Sequence, residues 1–284
     1  MANSNQGVGG TGTAAVRRSP LTWPWRVTIA YVAFLLVLPI TALLGRVGSL
    51  DPADFWRIVT SPVALSAYDV SFVTAIAAAL LDGVFGTLVA WVLVRYEFPG
   101  KRIVDAAVDL PFALPTAVAG LTLATVYSDR GWIGQWLAPL GIQISFTRLG
   151  VAVAMLFISL PFVVRTVEPV LAEIDRDLEE AAWCLGASRS QTFWRVLLPQ
   201  IFPAIVTGVA LGFSRAVGEF GSVVIVSANL PFQDLIAPVL IFQRLEQYDF
   251  EGAAAIGAVM LFISLTMLLA INLLQAWGRR YDRA

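Results

Sequence analysis

Long apolar stretches alternate along this chain with short segments that are polar or rich in Gly and Pro. A helix needs about 20 apolar residues to cross the hydrocarbon core of a membrane. Six stretches meet this requirement, and they lie near 25–45, 67–94, 106–127, 149–167, 200–226 and 251–277. The third is the least regular, because Pro111 and Pro115 stand near its start and can disrupt its first turns. The pattern predicts an all-α polytopic membrane protein with six transmembrane helices.

Composition supports this fold class and excludes several others. Of the 284 residues, 58% are hydrophobic and 14% are charged, and the mean hydropathy is +0.76. A soluble globular protein carries about 25% charged residues, so the chain is too apolar for a water-facing surface. It has no His, which excludes His-based hydrolytic triads and zinc sites, and its lone Cys184 cannot form an internal disulfide. The basic residues are scattered, which argues against nucleic acid as a partner.

The distribution of Lys and Arg predicts the orientation. Alternate polar segments hold thirteen and five basic residues, and one further Arg lies within a span. Cytoplasmic segments carry the excess, so we expect both termini in the cytoplasm, as an even number of spans requires. Residues 1–20 are rich in Gly, Ser, Thr and Asn and are predicted to be a disordered cytoplasmic tail, while 21–284 form the transmembrane domain.

Residues 168–199 form the one long hydrophilic segment between predicted spans. Its apolar positions recur at helical spacing and predict a short amphipathic helix that ends at Gly186. The stripe consists of Leu178, Ala181, Ala182 and Leu185. The small side chains of the two alanines would let another surface approach the backbone. From the pattern alone, a connecting hairpin that packs only on its own bundle is an equally good interpretation.

One motif in this segment resembles a family signature. Glu180-Ala181-Ala182 is followed after three residues by Gly186, after nine more by Val196, and after one more by Leu198-Pro199. This resembles the EAA signature of ATP-binding-cassette (ABC) importer permeases, with Val where Ile is more usual. The resemblance implies the type I permease fold. It also implies that the loop is a cytoplasmic coupling helix, which inserts into a cleft of a separate ATPase subunit. The implied coupling residues are Glu180, Ala181, Ala182, Leu185, Gly186, Val196, Leu198 and Pro199.

The resemblance extends over roughly residues 20–280 and is strongest to sulfate/thiosulfate permeases of that family. The similar stretches are 98–102, 109–120, 127–134, 216–222 and 244–249. This implies a multi-pass subunit of the bacterial plasma membrane that forms half of a sulfate or thiosulfate pore. The implied partners are a second homologous permease, two cytoplasmic ATPases that use ATP and Mg, an external binding protein and the lipid bilayer. No cofactor or catalytic site is expected in this chain, which also lacks a phosphate-binding Gly-Lys-Ser/Thr loop.

Other functions remain open at this point. A permease for another oxyanion, molybdate or tungstate, shares the EAA loop. An ion-coupled secondary transporter is a second class, in which Asp82 or Glu219 would carry the coupling ion. The two three-span halves look unlike each other, which argues against the inverted repeat common in that class. An intramembrane enzyme lacks a credible nucleophile and base.

Three ionisable residues fall within predicted spans: Asp82, Arg215 and Glu219. Each is costly in hydrocarbon and should face protein or water. Arg215 and Glu219 are four residues apart and can form a structural ion pair along a helix. Alternatively, Arg215 contributes positive potential to an anion pathway that Glu219 moderates. Asp82 is a possible second partner of Arg215.

Glycines supply small positions on the fifth span. Gly208 and Gly212 predict close helix packing. Gly218 and Gly221 either continue that packing or expose backbone N–H groups to an oxyanion. We expect packing, because a regular membrane helix has no free N–H group in its middle.

Overall fold

The computed structural model describes residues 23–281, leaving out the side chains of Asn272 and residues 274–281, and all secondary structure among the described residues is helical. The chain divides into two compact units at Gly45. The helices, in order, are α1 Trp23–Val32, α2 Leu38–Gly48, α3 Pro52–Val59, α4 Pro62–Arg95, α5 Lys101–Val108, α6 Leu110–Ala113, α7 Thr116–Tyr127, α8 Gly134–Leu137, α9 Arg148–Glu173, α10 Arg176–Cys184, α11 Arg189–Thr192, α12 Leu198–Val217, α13 Val223–Val226, α14 Ala237–Glu246 and α15 Phe250–Tyr281. Two π-helical segments, Ala33–Val37 and Phe193–Leu197, and one 3₁₀ segment, Ala138–Leu140, complete the list. The predicted disordered tail, 1–20, lies outside the described residues.

Five helical stretches are long and apolar enough to cross a membrane, which confirms a multi-pass membrane protein. They are Trp23–Gly48, Pro62–Arg95, Arg148–Glu173, Arg189–Val217 and Phe250–Ile271. Each overlaps one of the predicted spans. The second predicted span, 67–94, begins five residues earlier, at Pro62, and the fourth, 149–167, ends six residues later, at Glu173.

The third predicted span, 106–127, is wrong as a continuous helix. It is divided among α5, α6 and the 12-residue α7. Leu114 is extended, with φ −83° and ψ 135°, directly before Pro115. The ring of a proline disfavours helical backbone at the preceding residue, so the chain leaves the helix there and restarts at Thr116.

The fifth predicted span, 200–226, is also wrong as a single helix. Helix α12 ends at Val217, Gly218 is its C-cap, and residues 219–222 form a turn before the short α13. No proline marks this break. Glu219 stabilises it, because its Oε1 atom accepts hydrogen bonds from the Ser222 backbone N–H and hydroxyl, each at 2.9 Å.

Helices α4, α9 and α12 pack together and form the centre of the second unit. Glycines permit the close approach. A Cβ added at Gly208 of α12 would lie 2.8 Å from the Cα of Val163 in α9, and one added at Gly86 of α4 would lie 2.9 Å from the Val163 Cβ. At Gly212 the added Cβ would lie 3.3 Å from the Cβ of Ser159, also in α9. The predicted packing role of Gly208 and Gly212 is therefore confirmed.

Candidate functional site

The EAA segment folds as a helix, a glycine turn and a second helical stretch. Helix α10 begins after Asp175, whose side chain accepts a hydrogen bond from the Asp177 N–H at 3.2 Å. It ends at Cys184, and Gly186, two residues later, has a positive φ of +87°. The Ala187 N–H donates to the Ala182 carbonyl at 3.0 Å and so closes the end of the helix. The predicted helix and its glycine stop are thus present.

A capping box between Ser188 and Gln191 begins the second stretch. Each side chain satisfies the other residue's backbone N–H, at 2.8 and 3.3 Å. Val196 lies in the π-helical segment that follows, and Leu198-Pro199 begin α12. The π-helical segment leads directly into α12, so residues 189–217 form one helical stretch that enters the membrane helix without a break.

The apolar stripe of α10 is largely open in this chain. None of the residues of α10 is buried, and Leu185 at its end is 89% exposed. Leu178 and Ala181 are also exposed, while Ala182 is half-buried. Such a surface does not fit a hairpin that packs only on its own bundle, and it leaves an apolar face available to another protein.

One polar side chain at the edge of this stripe joins α10 to the end of α4. Arg95 Nη2 lies 3.0 Å from Glu179 Oε1, and the same group approaches the Ile174 carbonyl at 3.5 Å. The guanidinium also stands over the Trp91 ring, 5.7 Å from its centroid. Trp91, Arg95 and Glu179 line a cleft of about 450 Å³ between α4 and the EAA segment. The sequence analysis missed this contact, because Arg95 and Glu179 are 84 positions apart and no local pattern joins them.

Arg215 and Glu219 form the predicted ion pair. Arg215 Nη1 lies 2.6 Å from Glu219 Oε2. The Glu219 side chain is 2% exposed, whereas that of Arg215 is 32% exposed. Because α12 ends between them, the pair does not lie along a regular helix. It links the last turn of α12 to the following turn.

Asp82 lies elsewhere in the bundle. It is buried on α4 and accepts a hydrogen bond from the Ser159 hydroxyl on α9. No ion pair joins Asp82 to Arg215 within the described residues. The structure therefore does not bring the three intramembrane charges together, and Asp82 links two central helices instead.

Gly221 and Gly120 hold the break after α12 against α7. A Cβ added at Gly221 would lie 3.0 Å from the Cβ of Thr116, and one added at Gly120 would lie 2.7 Å from the Cα of Ser222. Close packing is the correct interpretation of Gly221. The expectation of packing assumed a regular membrane helix at this position, and that assumption was wrong, because the backbone here is a turn.

A second cluster was missed by sequence reasoning and centres on Arg165 of α9. Its Nη2 and Nε atoms bind the two carboxylate oxygens of Asp109 at 2.7 and 2.9 Å. Its Nη1 atom binds Asp105 and Glu168, each at 2.7 Å. This fork fastens α5 and its junction with α6 to α9. The one sequence signal was the four-residue spacing of Asp105 and Asp109, which is the spacing of one helix face.

Comparison with known proteins identifies the family. Residues 82–281 match the family model described as "Binding-protein-dependent transport system inner membrane component". The chain belongs to this family. The permease is 66% identical over 258 residues to a protein named "Sulfate transport system permease protein CysT" from Synechocystis sp., covering 91% of this chain and 90% of that relative. It is also 66% identical to the "Probable sulfate transport system permease protein cysT" of Nephroselmis olivacea, with 92% of both chains covered.

Solved structures support the same fold at lower identity. The permease matches a chain of a bacterial ABC transporter involved in the import of alginate with a TM-score of 0.70 and 18% identity, over 89% of this chain and 93% of that one. It matches a chain of the MetNI methionine ABC transporter with a TM-score of 0.59 and 18% identity, over 81% and 99%. Identity this low carries the fold and not the substrate. The permease therefore has the helical fold of ABC-transporter membrane subunits.

Proposed function

We propose that this permease is the CysT-type membrane subunit of an ATP-driven sulfate importer and forms half of its translocation pore. One observation carries the proposal: 66% identity over nine-tenths of the chain to a relative named as a sulfate transport permease. Thiosulfate is the closest alternative substrate, because it too is a tetrahedral divalent oxyanion. Molybdate and tungstate are the remaining candidates.

The energy source in this proposal is a pair of partner ATPases, CysA-like subunits that bind ATP and Mg. The support is the open stripe of α10, whose residues resemble the EAA coupling motif and whose end at Leu185 is fully available for contact. Closure of the ATPases on nucleotide would push α10, which is connected through Ile174 and Asp175 to α9 and through α11 to α12. Motion of α10 would thus reach α9 and α12, two of the three central helices, through the backbone.

The proposed assembly has a second, CysW-like permease and an external binding protein that delivers the anion. The chain would lie in the bacterial inner membrane with both termini and α10 on the cytoplasmic side. The support for this orientation is the thirteen-to-five distribution of basic residues. In this arrangement the binding protein selects the oxyanion by many hydrogen bonds, and the pore offers a weak polar path.

Arg215 is the residue of this chain that we place nearest such a path. Its side chain is partly exposed and carries the positive end of the pair, while Glu219 is buried behind it. A pair that is neutral overall attracts a divalent anion weakly, which suits passage better than retention.

The test is uptake of labelled sulfate by cells that carry this gene with its partner genes, in a strain without other sulfate importers. ATP-dependent sulfate uptake that excess thiosulfate blocks is the expected result. Uptake of molybdate without any response to sulfate would refute the substrate assignment. Sulfate uptake that persists when the partner ATPase cannot hydrolyse ATP would refute the ATP-driven mechanism and favour an ion-coupled transporter.

A further inference from the structure

Two of the three central helices receive the motion of α10 through the backbone, but α4 does not. Helix α4 ends at Arg95, and the chain then passes through α5 to α9 before it returns to this region. Side-chain contacts must therefore carry any effect of α10 on the end of α4, either directly or through the apolar packing of Trp91 and Val94 against Ile174 and Leu197. The Arg95–Glu179 ion pair, 3.0 Å long, is a direct charged contact between the two helices.

The surroundings of this ion pair make it stronger than an ordinary surface pair. The side chains of Arg95 and Glu179 are 10% and 16% exposed, so water screens their attraction only weakly. Trp91, one turn before Arg95, stacks on the guanidinium and also meets Phe193 edge-to-face at 5.5 Å. The end of α4 is thus fixed to both halves of the EAA segment, to α10 by charge and to the stretch before α12 by aromatic packing.

Arg95 differs from Arg165 in how completely its guanidinium is bonded. All three guanidinium nitrogens of Arg165 donate hydrogen bonds, as expected of a contact that holds two helices in one position. Arg95 uses Nη2, while its buried Nε has no hydrogen-bond partner among the described residues. The unused Nε donor can bind a further acceptor, and Glu180 lines the same cleft. Glu179 is thus the one carboxylate in an ion pair with Arg95 among the described residues, and its loss would leave the guanidinium without an anionic partner.

We propose that the Arg95–Glu179 ion pair is the contact that transmits displacement of the coupling helix α10 to the central helix α4, and that Arg95 is a positioning residue for transport. This inference rests on the proposed function, in that it assumes an ATPase acting on α10. Loss of the pair should leave α9 and α12 driven by the ATPase and α4 lagging behind. ATP would then be hydrolysed without a matching number of anions imported.

The experiment is the ratio of anion imported to ATP hydrolysed in proteoliposomes that contain the complete transporter and its binding protein. We compare Arg95→Gln, Glu179→Gln and the double variant, with Lys101→Gln as a matched control. Lys101 forms an ion pair of similar length, 2.7 Å, with Glu97 in the adjoining loop, but Glu97 is exposed and neither residue lies in α10. Arg95→Lys keeps the charge and tests rescue.

The expected result is a fall in the transport ratio of about fivefold or more in each single variant, the lower range of measured coupling between sites. Binding-protein-stimulated ATP hydrolysis should persist. The double variant should be no worse than either single variant, because both remove the same interaction. Arg95→Lys should recover most of the ratio, and Lys101→Gln should match the wild type. A structural role alone would lower the amount of assembled complex without changing the ratio.

Two results would overturn the proposal: a ratio in Glu179→Gln within about twofold of wild type, or losses in the two single variants that simply add in the double. Glu179→Gln decides the matter even if Arg95→Gln fails to assemble, since it removes the charge of the ion pair and keeps the size of the side chain. The proposed function fails separately. If the wild-type transporter carries molybdate and not sulfate, the substrate assignment is lost while the ratio can still be compared among variants.

Discussion

Gly120→Ala tests whether the two broken spans pack as closely as the structure indicates. The added Cβ would lie 2.7 Å from the Cα and 3.0 Å from the carbonyl carbon of Ser222. These are backbone atoms, and Ser222 is held by two hydrogen bonds to Glu219 and by the start of α13, so it cannot turn aside as a flexible side chain would. Either α7 moves away or the turn after α12 deforms.

The magnitude follows from two opposing terms. Alanine is favoured over glycine inside a helix by about 1 kcal/mol, which would stabilise α7. Overpacking of a closely packed interior costs about 1–3 kcal/mol, and contact with fixed backbone places this site at the upper end. The expected net effect is a destabilisation of about 1–2 kcal/mol. In soluble domains of about 200 residues, 1 kcal/mol moves Tm by about 2–4 °C, so a loss of several degrees is expected.

The assay is the temperature at which the detergent-purified transporter loses its monodisperse elution peak, at one fixed heating rate because unfolding is irreversible. Gly257→Ala is the matched control. Gly257 is also inside a helix, α15, but an added Cβ would meet only the Ile241 Cδ1 atom at an ordinary 4.0 Å. We expect this control to equal or exceed the wild type. A Gly120→Ala midpoint at or above that of Gly257→Ala would refute the close contact between α7 and the turn.

Three further predictions concern orientation, the coupling turn and the ion pair. Cys184 is exposed at the end of α10 and should react in intact cells with a membrane-permeant thiol reagent only, whereas reaction with an impermeant reagent would reverse the proposed orientation. Gly186→Val should abolish ATP-driven uptake, because φ of +87° costs a β-branched residue about 1–3 kcal/mol. Gly186→Asn should retain uptake. Equal uptake by both variants would contradict a requirement for positive φ at this position. Glu219→Gln should lower the stability by about 1–3 kcal/mol, measured as a lower melting midpoint, because Arg215 loses its partner. The Arg215→Gln/Glu219→Gln double variant should melt at a higher temperature than Glu219→Gln alone. A double variant that melts at a lower temperature would exclude the pair as a stabilising contact.

The positions of the spans could be predicted from the sequence because hydropathy accumulates over about 20 residues. Averaging hydropathy over about 20 residues does not detect a break in the helix that is only one turn long. Pro111 and Pro115 indicated irregularity in the third span, since proline acts on its neighbours through local sterics. The break at Gly218 has no such signal: it depends on the Glu219 side chain binding the Ser222 backbone, which only three-dimensional placement reveals.

The candidate site divides in a similar way. The helix, apolar stripe and glycine stop of α10 are local features, and the pattern around Gly186 predicts all three, whereas the exposure of the stripe is known only from the structure. The contacts that connect α10 with α4, and α5 with α9, join residues more than 50 positions apart. Arg95 and Arg165 contributed to the predicted orientation only as positive charges. Their partners depend on the packing of the central helices, which a single sequence does not encode in any local spacing.

The Arg215–Glu219 ion pair stabilises the helix breaks in the third and fifth predicted spans, whether or not it also acts in transport. Irregular backbone at membrane depth is tolerated only where protein or water satisfies its polar groups. Here the break after α12 packs against the first turns of α7, and Glu219 accepts the hydrogen bonds that the turn at Ser222 would otherwise lack. A buried carboxylate needs a counter-charge, and Arg215 supplies it at 2.6 Å. The structural and pathway interpretations of Arg215 and Glu219 are therefore not alternatives, because the pair stabilises the turn whichever anion passes. Loss of transport in a single variant identifies a pathway residue only if the stability of the assembled transporter is unchanged.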